Sequence, residues 1–308
     1  MPRVLPVAGA EWIGYRATRM QLALQEGASR SRAFEPVLAL SAELSLASRH
    51  HLARNDLTAA IRNYRLCWVL ACLDIKARYR GSLLGPFWLT LSTAVMVSAL
   101  GFLYSTLFRT NLHDYLPFLA LSLVLWGFVQ NLVTESCTAF TSQEGMIRSL
   151  AMPFFVYAGC IVLRNVLVLA HNIVVIAVVF AIFAIWPGWA ALAILPAALV
   201  WLVDGIAVAV ALGAFCARFR DVPPIVASVM QIAFFVTPII WKPELIQHGR
   251  RFLPVNPFFS LLEIVRAPLL GALPSWQVWV SAVGYSAVIC AASWVLFVRV
   301  RGRLAFWL

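Results

Sequence analysis

The sequence predicts an all-α, polytopic membrane protein. It has six transmembrane helices, an N-terminal amphipathic helix lying in the interface, and short external re-entrant helices between spans five and six. Three observations predict it. Of 308 residues, 62% are hydrophobic and 12% are charged, against about a quarter charged in average soluble domains. Six long windows carry almost no charge, each long enough to cross about 30 Å of hydrocarbon. The basic residues, which give a formal net charge of +11, gather on one side of those windows.

The first 57 residues hold scattered arginines (Arg3, Arg16, Arg19, Arg30, Arg32, Arg49, Arg54) and no long apolar run. They read as a cytoplasmic extension, and no cleavable signal peptide is expected. Residues 58–82 form the amphipathic unit. Ile61, Tyr64, Trp68, Ala71, Ile75 and Tyr79 recur at spacings of three and four, while Arg62, Arg65, Asp74, Lys76, Arg78 and Arg80 mostly point elsewhere. Such a basic, aromatic helix suits the headgroup region. In "DIKARYRGSLLGPFWLTLS", residues 74–92, this basic stretch runs straight into an apolar one. Gly81-Ser82 and Gly85-Pro86 read as a hinge, with Ser82 capping the coming span and Pro86 tolerated in its first turn.

Residues 83–308 form the membrane domain. Its spans are Leu83 to Phe108, Tyr115 to Thr134, Phe154 to Ile185, Ala190 to Ala217, Val222 to Trp241 and Pro274 to Val298. "WPGW" (186–189) reads as a turn with interfacial tryptophans. Two short apolar clusters between spans five and six are broken by Pro254, Pro257, Pro268 and Gly271. Neither can span, so they read as helices that dip in and return, packed on protein.

Charge sets the orientation. Of the 24 lysines and arginines, only Arg109, Lys242, Arg250, Arg251 and Arg266 fall on the side opposite the termini. Both termini are therefore expected in the cytoplasm of an inner-membrane protein. The charge follows topology, which argues against a nucleic-acid partner. The six cysteines form no C-x-x-C pair and read as free, mostly buried thiols, without a metal site. No G-x-x-x-x-G-K-[ST], H-E-x-x-H or G-x-S-x-G occurs. The chain reads as a conduit without its own engine.

Charges inside a membrane are expensive and must face protein or water. Asp204 sits near the middle of span four, and Arg164, His171 and Asn172 on span three are its expected partners. A fold-holding contact is the plainer reading and a proton relay the sharper one. Arg164 can also snorkel to the cytoplasmic headgroups.

Four stretches carry a resemblance: "DIKARYRGSLLGPFW", "ESCTAFTSQEGMIRSLAMPFFVYAGCIVLRNVLVLAHN", "ARFRDVPPIVASVMQIAFFVTPIIW" and "LPVNPFFSLLEIVRAPLLG". In this order they resemble the membrane subunits of ABC exporters of polysaccharides, the Wzm-like permeases, with teichoic-acid and capsule exporters as cousins. The resemblance spans roughly residues 70–300 and says nothing of the N-terminal extension. It implies a homodimeric channel served by two copies of a separate nucleotide-binding ATPase, with ATP and Mg held by that partner and no cofactor in this chain. It implies a lipid-linked polysaccharide as cargo. Gln143, Glu144, Gly145, Met146, Ile147 and Arg148 would form the coupling helix against the ATPase, and spans one and five would line the pore.

Sugar rings stack their C–H faces on aromatic rings. Phe87, Trp88, Phe102, Tyr104 and Phe108 on span one, and Phe234, Phe235 and Trp241 on span five, are the candidates for such a path. Packing or lipid contact is the alternative for each. Lys76, Arg78 and Arg80 suit the pyrophosphate of a polyprenyl-linked donor; positive-inside topology explains them as well. Three competing functions stay open: an ABC permease for a drug or small lipid, a polytopic glycosyltransferase, and a proton-coupled carrier using Asp204.

Overall fold

The computed structural model describes residues 45–82, 85, 87–150, 152–245 and 250–308. Among them every regular element is helical. Helix α1 (Leu46–Arg62) opens on Ser45, whose hydroxyl accepts the Ser48 N–H. Helix α2 (Tyr64–Arg78) follows after a break at Asn63. The sequence pattern suggests one helix starting near residue 58; the structure begins it at Leu46 and interrupts it. The Asn63 amide donates to the Ala59 carbonyl at 2.7 Å, the local side-chain competition that makes asparagine a poor helix-interior residue.

The face buried by these two helices also differs from expectation. Ala53, Asp56, Ala60, Cys67 and Ala71 are buried, while Ile61, Tyr64 and Trp68 stay exposed. Small residues let α2 approach closely: a Cβ added at Gly159 would stand 3.4 Å from Cys67 Sγ. The larger side chains Tyr64 and Trp68 are left to face outward.

At the hinge, Ser82 Oγ accepts the Gly85 N–H at 3.1 Å. Gly81 (φ 84°) and Gly85 (φ 54°) both adopt the left-handed conformation, which glycine reaches without a Cβ clash. Leu83, Leu84 and Pro86 lie outside the described residues, as do residues 1–44 of the extension.

The membrane helices are α3 (Phe87–Leu107), α4 (Leu112–Ser136), α6 (Phe154–Ile182), α7 (Ile194–Arg218, preceded by a 3-10 turn over Gly188–Ala193) and α10 (Trp276–Trp307). These five are long and apolar enough to cross a bilayer. Between α4 and α6 lies the short α5 (Glu144–Ser149). Helix α8 (Val222–Val236) covers the expected fifth span only in part. Its 15 residues reach about 22 Å at 1.5 Å per residue. Thr237 ends it in an extended conformation (ψ 139°), because the residue before a proline avoids the α region.

Contacts fix the directions. Glu135 at the end of α4 meets Arg164 near the start of α6, and His113 at the start of α4 meets Phe183 beyond α6; these two helices are antiparallel. Helices α7 and α10 are parallel. Ser286 donates to Asp204, Ser293 to the Ala207 carbonyl, and Arg218 lies over the Trp307 ring. The chain between them must therefore return along the bundle. It climbs beside α4 in order: Phe234 packs on Trp126, the Pro238 carbonyl reaches Ser122 through Arg266, and the Ile240 carbonyl accepts from Tyr115. Trp126 and Tyr115 are about 16 Å apart along α4.

The chain then goes back down. The Val255 carbonyl accepts from Tyr285, nine residues into α10, and Phe258 packs edge-on against Trp126. Helix α9 (Pro257–Leu269) starts there, capped by Asn256 Oδ1, which accepts the Phe258 N–H at 3.0 Å. It rises until Gly271 lies beside the Pro187 carbonyl. Its inner face (Phe259, Leu262, Ile264, Val265) belongs to the main core with Trp126, Phe140 and Trp201.

Candidate functional site

At the Ser136 end of α4, five polar side chains from three helices form one connected network. Arg164 Nε and Nη2 donate to Glu135 Oε2 at 3.1 and 2.9 Å, and its Nη1 meets Asp74 Oδ2 at 3.0 Å. Asn165 Nδ2 donates to the same Glu135 oxygen at 2.7 Å. Arg78 Nη2 takes the other, Oε1, at 2.9 Å. One carboxylate thus joins α2, α4 and α6. The sequence expectation paired Arg164 with Asp204; the structure gives it two carboxylates at its own depth instead. Arg78 is likewise spent on Glu135, whereas Lys76 and Arg80 stay exposed. Partial burial pushes the neighbouring Tyr79 phenol above its usual value, with Arg78 opposing and Glu135 assisting.

The other intramembrane polar residues stay apart. Asp204 is buried and accepts from Ser286 at 2.7 Å, and its second oxygen has no partner among the described residues. His171 Nδ1 bonds the Leu167 carbonyl of its own helix at 2.7 Å. The Asn172 side chain accepts from Thr93 at 3.4 Å and the His171 carbonyl from Thr90 at 3.3 Å, both on α3. His171 and Asn172 are satisfied locally, as buried polar groups generally are, and among the described residues no hydrogen bond links them to Asp204.

Helix α5 links α4 to α6 at this same end. Gln143 precedes it in a 3-10 turn, and Glu144 pairs with Arg148 at 2.8 Å on its outer side. Met146 and Ile147 turn inward and pack on the core. A Cβ at Gly145 would meet nothing, so that point of α5 is open to a partner surface. Behind α5, a cavity of about 30 Å³ is lined by Asp74, Gln143, Met146, Tyr157 and Arg164, room for one water. The Tyr157 hydroxyl, buried and unpartnered, belongs to that lining.

The eight aromatic candidates divide. Phe87, Trp88, Phe102 and Phe235 are exposed on α3 and α8. Tyr104 stacks on Phe108, which meets Tyr115 edge-on. Phe234 packs against Trp126, and the Trp241 indole donates to the Phe235 carbonyl at 3.2 Å. The last four therefore pack within the protomer.

Sequence reasoning missed two residues that hold the site. Glu135 stands first in the quoted loop, and its being a carboxylate at the end of a span was the available signal. Arg266, read only as an external charge, is 2% exposed. It donates to Ser122 Oγ at 2.9 Å and to the Pro238 carbonyl at 2.7 Å, pairs with Glu263, and lies 4.5 Å over the Phe118 ring. It locks the non-helical turn after α8 to the middle of α4. Among the described residues no cluster of three metal-ligating side chains occurs.

Comparisons with known proteins place the chain in a family. The model of the ABC-2 type transporter family matches residues 65–270. An O-antigen export system permease protein, RfbA, of Myxococcus xanthus is 24% identical over 236 residues, which cover 75% of this chain and 91% of that one. A protein of the same name from Klebsiella pneumoniae is 22% identical over 237 residues, 73% of this chain and 88% of its own. With two-thirds of its length under that family model, and with the helices of a multi-pass membrane protein, the chain belongs to the ABC-2 type transporter family of membrane permeases.

Proposed function

We propose that this chain is the membrane subunit of an ATP-driven exporter that moves a lipid-linked, O-antigen-like polysaccharide out of the cytoplasm. The observation that carries the cargo class is the match, over about three quarters of the chain, to two proteins named O-antigen export permeases. A separate ATPase, present twice, supplies the energy and holds ATP and Mg; the sequence has no phosphate loop of its own. That partner presses on α5 from below.

Six crossings support this reading better than five. Parallel α7 and α10 require the intervening chain to cross back, and α8 with the non-helical stretch Thr237–Trp241 covers that distance. Both termini then lie in the cytoplasm of the bacterial inner membrane, as the basic residues argue. The descent to Val255 and ascent along α9 make the re-entrant pair, and protein packing satisfies it.

A second copy completes the channel. Ile225, Val229, Ile232 and Val236 are exposed on α8 at spacings of four, three and four, the seam of a helix that meets its like. Lys76 and Arg80 remain free to meet the diphosphate of the lipid anchor. Deleting the gene tests the reading: surface polysaccharide should disappear and lipid-linked polymer accumulate inside. Unchanged surface polysaccharide would point instead to a drug or small-lipid cargo on the same scaffold.

A further inference from the structure

Helix α4 leaves open a stripe that runs between its two neighbours. Helix α3 meets α4 where Gly101 abuts Leu116 and where Val97 and Ala120 share a cluster. Helix α8 meets it through Trp126 and Phe234. Between these contacts Leu123, Gly127, Gln130, Asn131 and Thr134 are partly or fully open, and the stripe turns polar towards Ser136.

The polar groups on it are unequal. Thr134 is satisfied by its own helix, donating to the Gln130 carbonyl at 2.8 Å. Gln130 Oε1 accepts the Trp126 indole N–H at 2.8 Å, and its amide N–H groups bond nothing among the described residues. Asn131 is exposed, and its side chain bonds nothing among the described residues. Gln231 on α8 is in the same state. Because α4 and α8 are antiparallel, Asn131 and Gln231 fall on the same side of the Trp126–Phe234 pair, about 7 and 4 Å from it along their axes. By the α3 register, exposed Trp88 stands level with Val129 and Gln130.

Carboxamides without hydrogen-bond partners do not belong in hydrocarbon. They face water or a polar cargo. A primary amide both donates and accepts, as a sugar hydroxyl does, and it carries no charge that would hold one unit too long. Apolar Ile232 and Val236 sit one step round α8, so its amide side and its sealing side are distinct. We propose that Gln130, Asn131 and Gln231 form a hydrated carboxamide track that hydrogen-bonds the hydroxyls of the passing glycan, with Trp88 offering its ring face. The proposal rests on the polysaccharide reading above for its occupant, and on the open amides for its place.

Two measurements test it on the full transporter with its ATPase. Asn131→Cys and Gln231→Cys, in lipid vesicles, are treated with a water-soluble, membrane-impermeant maleimide and read site by site by mass spectrometry. Both should react at least tenfold faster than Val203→Cys, an exposed position on α7. In cells, the Asn131→Leu/Gln231→Leu double variant should lower surface polysaccharide at least tenfold while reaching the membrane in normal amount, and Asn131→Gln/Gln231→Asn should keep more than half. Labelling no faster than at Val203→Cys, or full export by the leucine variant, overturns the track. A deletion strain that still displays its polysaccharide removes the glycan as occupant and the exporter reading with it; a deletion that abolishes display while the leucine variant restores it removes the track alone.

Discussion

Arg164 is the residue on which the Ser136 end of α4 depends. Its guanidinium is largely buried and shared by Glu135 and Asp74. Removing one partner of a buried pair strands the other, which costs about 3–5 kcal/mol. Arg164→Ala is therefore expected to lower the thermal midpoint in detergent by several degrees, and Glu135→Gln to do much the same. The double variant should lose less than the sum of the two, since both act on one network; strict additivity in the melting curves would show that the cluster is not a unit. Arg266→Ala is expected to be equally damaging at the other end, because it leaves Glu263 and the Pro238 carbonyl without a donor. Arg266→Lys should restore little, since a lysine cannot reach the serine, the carboxylate and the carbonyl at once.

Helix α5 has no buried residue of its own, so its outer face is open to the proposed ATPase partner while Met146 and Ile147 tie it to the core. Charge reversal at Glu144 or Arg148 is expected to abolish stimulation of ATP hydrolysis by the membrane subunit without preventing insertion. Wild-type stimulation in a purified complex carrying Glu144→Arg would remove α5 from the docking surface. Helix α1 is a second such element. Asp56 holds Arg301 through two bonds of 3.1 and 2.8 Å, and Trp294 donates to His50 at 3.2 Å. The clamp joins a helix that precedes the family match to the last span. Asp56→Asn should loosen it by about 1–2 kcal/mol, since a neutral amide replaces a charge-assisted pair, and faster protease cleavage within α1 would report it.

For the whole molecule, α3 and α8 each carry an exposed apolar side in the single protomer. If the Ile225–Val236 seam meets its copy, Ile225→Cys should cross-link to itself in membranes under mild oxidation, giving a band of twice the mass. Failure to cross-link at Ile225 and Val229 alike, with the complex active, would place the twofold axis elsewhere.

The sequence by itself determined the all-helical, multi-pass class, the gathering of charge outside the apolar windows, and the break at Gly81–Gly85. Each is a local property: transfer free energy and helical periodicity add along the chain. Tertiary structure alone decided that Arg164 answers Glu135 rather than Asp204, that α2 turns its small residues inward, and that four of eight candidate aromatics pack within the protomer. It also decided the short reach of α8. A proline at 238 announces a break, but only the buried Arg266, 28 residues on, makes an unwound turn tolerable beside α4. Such partners are set by which helices come to lie together, and that is a property of the packed bundle rather than of any one stretch of chain.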